Sequence, residues 1–183
     1  MSNTCFVTVA YRMDGFNDAL KLMAVLEKQI EYARGSRNRM YFGSGLRYME
    51  EPDIRREGNV VFLSGGTVNC FTEEDAMNVV AFAKYMSFNG MRVCEIDYEE
   101  TNEHDKGRFV WRRGIEERSG ETDPRWGVLT HRYILDSDWP DGEWDEDDNY
   151  SAVVDGKKFD DEAECLEYVL NEHGLEDEVN VRL

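Results

Sequence analysis

The sequence contains no apolar run of the roughly 18 residues that a membrane-spanning helix requires. The segment from Met1 to Tyr11 also lacks the basic start and the long apolar stretch of a secretory signal peptide. From these two absences we expect a cytoplasmic protein with no membrane association.

Cysteines are few and isolated. Cys5, Cys70, Cys94 and Cys165 form no Cys-x-x-Cys pair, and no histidine follows them at metal-ligand spacing. We therefore expect reduced, mostly buried thiols, no metal centre and no other resident cofactor. No histidine accompanies a serine or cysteine nucleophile in the sequence, so no catalytic residues are predicted.

Basic side chains are outnumbered by acidic ones. There are 39 acidic and 21 basic residues, which gives a net charge of −18. That excess argues against direct nucleic-acid binding and against attachment to anionic lipid. The excess is concentrated in residues 121–183, which carry 20 acidic and 5 basic side chains, whereas residues 1–120 carry 19 and 16. The last third of the chain therefore has an electrostatic character of its own.

The length of 183 residues and the hydrophobic content of 41% suit one domain with a real core, and the chain is too short for a TIM barrel. Alternating and helical periodicities predict the order β-α-β-β-α-β in the first part of the chain. The predicted elements are a strand from Cys5 to Met13, a helix from Asn17 to Arg34, strands from Arg39 to Met49 and from Asn59 to Val68, a helix opened by a capping box at Thr72 to Asp75, and a strand from Met91 to Glu99.

This order is that of a ferredoxin-like split βαβ unit, an α+β fold with two helices on one face of an antiparallel sheet. Turn residues between Glu50 and Gly58 predict a long loop between its second and third strands. We expect further strands at Arg108 to Arg113 and Val128 to Leu135. The predicted organisation is a ferredoxin-like domain over residues 1–114, a connection over 115–149 and an acidic strand-helix-strand appendage over 150–183.

The strongest local feature is the segment from Asp136 to Asp148, with eight carboxylates in thirteen residues and two tryptophans among them. Exposed carboxylates can imitate a row of phosphates and meet a basic cleft, while indole rings supply interface anchors. The predicted partner-binding residues are Trp139, Asp141, Glu143, Trp144, Asp145, Glu146, Asp147 and Asp148. The alternatives are a solvated acidic loop and a calcium loop, although the EF-hand glycine falls one place late, at Gly142.

Three other patterns bear on function. Glu95, Asp97 and Glu99 share one face of a predicted strand, and we expect them to pair with Arg108 and Arg112 on the next strand. The run from Ser64 to Thr67 could hold a phosphate, or could mark a bulge or a close backbone contact. The third predicted strand lacks the aromatic spacing of an RNA-recognition motif.

These patterns favour a non-enzymatic acidic protein-binding module, an inhibitor or nucleic-acid mimic of the phage anti-defence or immunity type. It would occlude a basic site on a nuclease, a polymerase or a defence protein. The stretch from Glu95 to Trp111 resembles short uncharacterised phage proteins, a resemblance that implies no activity. The alternatives are a ferredoxin-like domain that binds a small ligand or nucleotide, or acts as an enzyme, and a viral structural or assembly subunit.

Overall fold

A computed structural model describes residues 4–36, 49–68, 71–87, 90–100, 106–114, 126–134 and 142–182. Its elements are β1 (Thr4–Met13), α1 (Phe16–Ser36), β2 (Glu50–Glu57), β3 (Val60–Val68), α2 (Glu73–Met86), β4 (Met91–Glu100), β5 (Lys106–Arg113), β6 (Trp126–Tyr133), β7 (Glu143–Trp144), β8 (Tyr150–Val154), β9 (Lys157–Phe159), α3 (Glu162–His173) and β10 (Leu175–Arg182). No helix in these ranges is long and apolar enough to cross a membrane.

The main sheet has seven strands in the order β10-β6-β5-β4-β1-β3-β2, and each neighbouring pair is antiparallel. The protein is thus α+β with an antiparallel sheet, as predicted. The sheet continues beyond β4 through β5, β6 and β10, so it is wider than the four strands of a split βαβ unit.

The core lies on one face of this sheet because the strands alternate inward and outward side chains. Leu63, Val9, Ile96 and Phe109 are fully buried and form a continuous row across β3, β1, β4 and β5. Helix α1 packs on β1, β2 and β3, helix α2 packs on β4 and β5, and the two helices contact each other. The capping box predicted for α2 is present: Thr72 and Asp75 exchange side-chain-to-backbone hydrogen bonds.

The prediction of a long loop before β3 is wrong. Most of the predicted strand from Arg39 to Met49 falls outside the described residues, and the predicted loop from Glu50 to Gly58 is instead β2 with its turn. Pro52 is tolerated because β2 is the outermost strand of the sheet. On its outer side an edge strand needs no backbone N–H group to pair with a neighbouring strand. Gly58, at φ 60°, supplies the left-handed conformation of the short turn into β3.

The run from Ser64 to Thr67 lies within β3 and is paired with β1, so it forms no phosphate-binding loop. The alternative of a close contact is confirmed. A Cβ atom on Gly65 would lie 2.5 Å from Cγ of Met49, next to the irregularity in the β2 pairing between Glu50 and Asp53.

The last third of the chain forms a second, smaller core. Strands β7, β8 and β9 form a three-stranded sheet, and α3 packs on β8 and β9. Its buried residues are Ile134, Tyr150, Ala152, Phe159, Cys165, Val169 and Leu170. Within residues 150–183, the two strands β8 and β9 precede α3 rather than the one predicted. The final strand β10 pairs with β6 over eight residues at the edge of the main sheet.

Candidate partner-binding surface

The described part of the predicted acidic segment is a β-hairpin, not the irregular loop expected between Trp139 and Asn149. Glu143 and Trp144 form β7 and pair with Ser151 and Tyr150 of β8. The turn between the strands, residues 145–149, carries Asp145, Glu146, Asp147 and Asp148. All six of these predicted site residues are exposed, whereas Trp139 and Asp141 lie outside the described residues. We refer to residues 143–151 as the acidic hairpin.

Asp145 holds the turn of the acidic hairpin together. Its Oδ1 atom accepts hydrogen bonds from the backbone N–H groups of Asp147 and Asn149, each at 2.9 Å, and from Nδ2 of Asn149 at 3.1 Å. These bonds hold the pKa of Asp145 below its ordinary value. Asp148 adopts a left-handed conformation at φ 59°, which the turn requires. The Asp145 carboxylate is thus engaged within the turn, a structural role that the sequence analysis missed.

The other carboxylates of the hairpin are presented to solvent. Glu143, Glu146, Asp147 and Asp148 form no ion pair with any described residue. Three negative charges therefore project from a short turn whose backbone is fixed by a fourth carboxylate, and Glu143 adds a further charge from the adjoining strand β7. Fixed charges at close spacing give a strong local negative potential.

Trp144 stands beside these charges. It is 57% exposed, and its ring contacts the buried ring of Tyr150 edge to face, with centroids 5.4 Å apart. The backbone at Gly142 passes so close to the Tyr150 ring that a Cβ atom there would lie 2.3 Å from it. The indole therefore packs on Tyr150 on one side and is exposed to solvent on the other.

The carboxylate row of β4 is largely neutralised by arginines. The predicted cross-strand pair is confirmed: Nε of Arg108 lies 2.5 Å from Oδ1 of Asp97. Arg12 on β1 pairs with Glu95 at 3.1 Å, a partner that the sequence did not indicate. Arg112 lies on the same face of the sheet as the row, but the register of β5 sets it opposite Val93, two residues before Glu95, and it forms no ion pair with a described carboxylate of the row.

Two of the three histidines, His131 and His173, lie within the described residues. His131 stacks on Phe109, with centroids 3.9 Å apart, and its Nε2 lies 2.8 Å from the hydroxyl of Tyr98. Burial lowers the pKa of His131 to about 4. Nε2 of His173 lies 2.6 Å from a carboxylate oxygen of Asp155. In the ranges that the structure covers, no group of three His, Cys, Asp or Glu side chains could hold a metal ion.

Sequence reasoning missed one further feature, a groove along the exposed side of α3. Lys157 and Phe159 of β9 and Tyr168 of α3 line it together with glutamates of α3. The helical spacing of Glu164, Tyr168 and Glu172 is visible in the sequence. The strand that carries Lys157 and Phe159 is too short for its alternation to be recognised.

Comparisons with known proteins identify no relative. No family model matches the chain, and neither a curated protein nor a solved structure matches it significantly.

Proposed function

We propose that this protein is a non-enzymatic, acidic protein-binding module that inhibits a basic partner by occluding its functional site. The observation that carries the proposal is the acidic hairpin. Its exposed carboxylates are Glu143 of β7 and Glu146, Asp147 and Asp148 of the turn that Asp145 fixes. They form no ion pair with a described residue, and the half-exposed Trp144 lies beside them.

The partner that suits this surface is a protein that handles nucleic acid, such as a nuclease, a polymerase or a defence protein. A site that binds phosphates is lined with lysine and arginine, and closely spaced carboxylates can occupy it in place of the phosphates. The negative charge of the last third of the chain would speed encounter, and the indole of Trp144 would supply the desolvated contact. The same negative charge makes direct binding of nucleic acid unfavourable.

We further propose that β1 to β4 with α1 and α2 form a ferredoxin-like split βαβ unit. The order β4-β1-β3-β2, the antiparallel pairing of these strands and the packing of both helices against them support it. In this interpretation β5, β6 and β10 extend the sheet, and the C-terminal residues present the acidic hairpin. A cytoplasmic location belongs to the same proposal.

The proposal is tested by capturing partners from a lysate of the natural host, or of a host that carries defence systems. Three tagged proteins are compared: the wild type, a hairpin variant (Glu143→Gln, Glu146→Gln, Asp147→Asn, Asp148→Asn) and a control variant that loses the same charge elsewhere (Glu27→Gln, Glu31→Gln, Glu50→Gln, Asp53→Asn). The control carboxylates are exposed and lie on α1 and β2.

We expect the wild type and the control variant to retain one basic nucleic-acid-handling protein at low salt and to release it at high salt. The hairpin variant should retain much less of it. Equal retention by the two variants would contradict the acidic-hairpin mechanism. A small ligand found by mass spectrometry of the purified protein, with no protein retained, would favour the ligand-binding alternative instead.

A further inference from the structure

A groove of about 470 Å³ runs along the exposed side of α3, and its lining combines aromatic rings with carboxylates. We call it the α3–β9 groove. Its functional groups are Lys157, Phe159, Glu164, Glu167, Tyr168 and Glu172. Because side chains alternate along a strand, Lys157 and Phe159 of β9 point to the same side, while Lys158 points to the other.

A cation already sits on the aromatic rings of this groove. The ammonium nitrogen of Lys157 lies 4.7 Å from the ring centroid of Phe159 and 4.9 Å from that of Tyr168. The two rings are themselves in contact, with centroids 5.2 Å apart. Both distances are within the range of cation–π attraction, so the pair of rings forms a receptor for a positive charge.

The Tyr168 ring is held in place by a hydrogen bond of its hydroxyl group. Its hydroxyl donates a hydrogen bond to Oδ2 of Asp155 at 3.1 Å, and the same oxygen lies 2.6 Å from Nε2 of His173. The ring therefore does not need to be ordered when a ligand binds, which lowers the entropic cost of binding.

The rest of the groove is negatively charged. Glu164 and Glu172 form no ion pair with the described residues, and Oε1 of Glu167 lies 3.6 Å from Nη2 of Arg108 on β5, an interior strand of the main sheet. Three glutamates thus line the groove together with one lysine, whose side chain is exposed. Aromatic faces with surrounding carboxylates are complementary to a cationic side chain.

We propose that the α3–β9 groove binds an arginine or lysine side chain of a basic protein partner, which displaces Lys157 from the rings of Phe159 and Tyr168. This inference deepens the proposed function, because it names the partner group that a second surface of the same acidic region recognises. Lys157 acts as an internal occupant that the partner's cation replaces.

The neighbouring lysine provides a matched control. Lys157→Ala and Lys158→Ala remove the same charge from adjacent positions, but the ammonium of Lys158 is 2.6 Å from Asp160 and does not contact the rings. A change in net charge alone would raise affinity for a cation in both variants. Removal of the cation that occupies the rings should make Lys157→Ala the stronger binder of the two.

The experiment measures the affinity of a fluorescein-labelled hexa-arginine peptide by fluorescence anisotropy at low ionic strength. We expect Lys157→Ala to bind about two- to fivefold more tightly than Lys158→Ala, the factor that corresponds to an exposed cation–π contact. Tyr168→Leu should bind the peptide more weakly than the wild type does, by a similar factor. Circular dichroism checks that this variant is folded. Equal affinities of Lys157→Ala and Lys158→Ala would overturn the proposal whatever Tyr168→Leu does.

The same titration in the hairpin variant separates this inference from the proposed function. The difference between the two lysine variants should persist when the four hairpin carboxylates are amides, because none of them lines the groove. Loss of the difference in that background would show that the peptide is held by the hairpin, and the groove proposal would fail while the hairpin mechanism stood. If the difference between the two lysine variants persists but the hairpin variant captures the partner as well as the wild type does, the groove proposal would stand and the hairpin mechanism would fail.

Discussion

The carboxylate of Asp145 lies 2.9 Å from the backbone nitrogen of Asn149, and this bond closes the turn that displays the other acids of the hairpin. The backbone N–H of Asp145 in turn donates to the carbonyl of Asn149 at 3.0 Å. Two residues four apart are thus joined in both directions. One acid of the cluster is engaged in holding the conformation, while its acidic neighbours in the turn remain exposed.

Replacing Asp145 should loosen the turn without unfolding the protein. In Asp145→Ala the amides of Asp147 and Asn149 lose their acceptor, so their hydrogen exchange should accelerate by roughly an order of magnitude. Asp147→Ala removes the same charge but no acceptor, and its exchange pattern should match the wild type. Similar exchange in both variants would show that Asp145 has no special role.

The Asp145 turn should also resist acid. Hydrogen bonds from Asp147 and Asn149 depress the pKa of Asp145, so its contribution to stability is present above the ordinary carboxyl pKa and is lost only as the pH falls through the lower folded value. An NMR titration of the Asp145 carboxyl should give a midpoint below the ordinary pKa of an aspartate. A midpoint at or above that ordinary pKa would contradict the turn geometry.

His131 should make the stability of the main core depend on pH. Its folded pKa of about 4 is below the value of about 6.5 expected in the unfolded chain, because burial against Phe109 disfavours the charged ring. The unfolded state therefore binds the extra proton first, and stability falls as the pH drops from 6.5 to 4.

Urea denaturation of wild type and His131→Phe tests this dependence. The variant keeps the aromatic stack but cannot titrate, so it should lose less stability than the wild type between pH 7 and pH 4.5. The expected difference is about 1 to 2 kcal/mol, after allowance for the partial exposure of the ring. Parallel stability curves for the two proteins would show that His131 does not contribute.

The C-terminal unit should unfold together with the main sheet. Leu170 is 2% exposed in the smaller core, and Leu170→Ala should lower the free energy of unfolding by about 2 to 5 kcal/mol. Because β10 follows α3 directly and completes the main sheet beside β6, tryptophan fluorescence and far-ultraviolet circular dichroism should report a single transition. Two separate transitions in urea would instead define residues 150–183 as an independent appendage.

Elements with strong local signals could be predicted from the sequence. The helical spacing of α1 and the capping box at Thr72 identified two helices, and alternation identified β1, β3 and β4. The segment of β2 was predicted as a loop because Pro52 and the charged residues around it are typical of a loop. These residues are acceptable on the outermost strand, and the position of a strand at the edge of a sheet is a property of the whole fold.

The candidate site was predicted in outline only. The density of carboxylates identified the acidic hairpin, since such a run cannot be buried. The role of Asp145 depends on backbone geometry at Asp147 and Asn149, which composition does not encode. The α3–β9 groove depends on the packing of a three-residue strand against a helix, and so short a strand gives no periodic signal.

The most direct test of the account is the association rate constant of this protein with its captured partner, measured by stopped-flow fluorescence as a function of ionic strength. The wild type should associate rapidly at low salt, and its association rate constant should fall steeply as salt is added. The same is expected of the control variant altered at Glu27, Glu31, Glu50 and Asp53. The hairpin variant should associate about tenfold more slowly, or slower still, with a flatter salt dependence. Identical rates and salt slopes for the hairpin and control variants would show that the acidic hairpin does not steer binding, and would contradict the central claim.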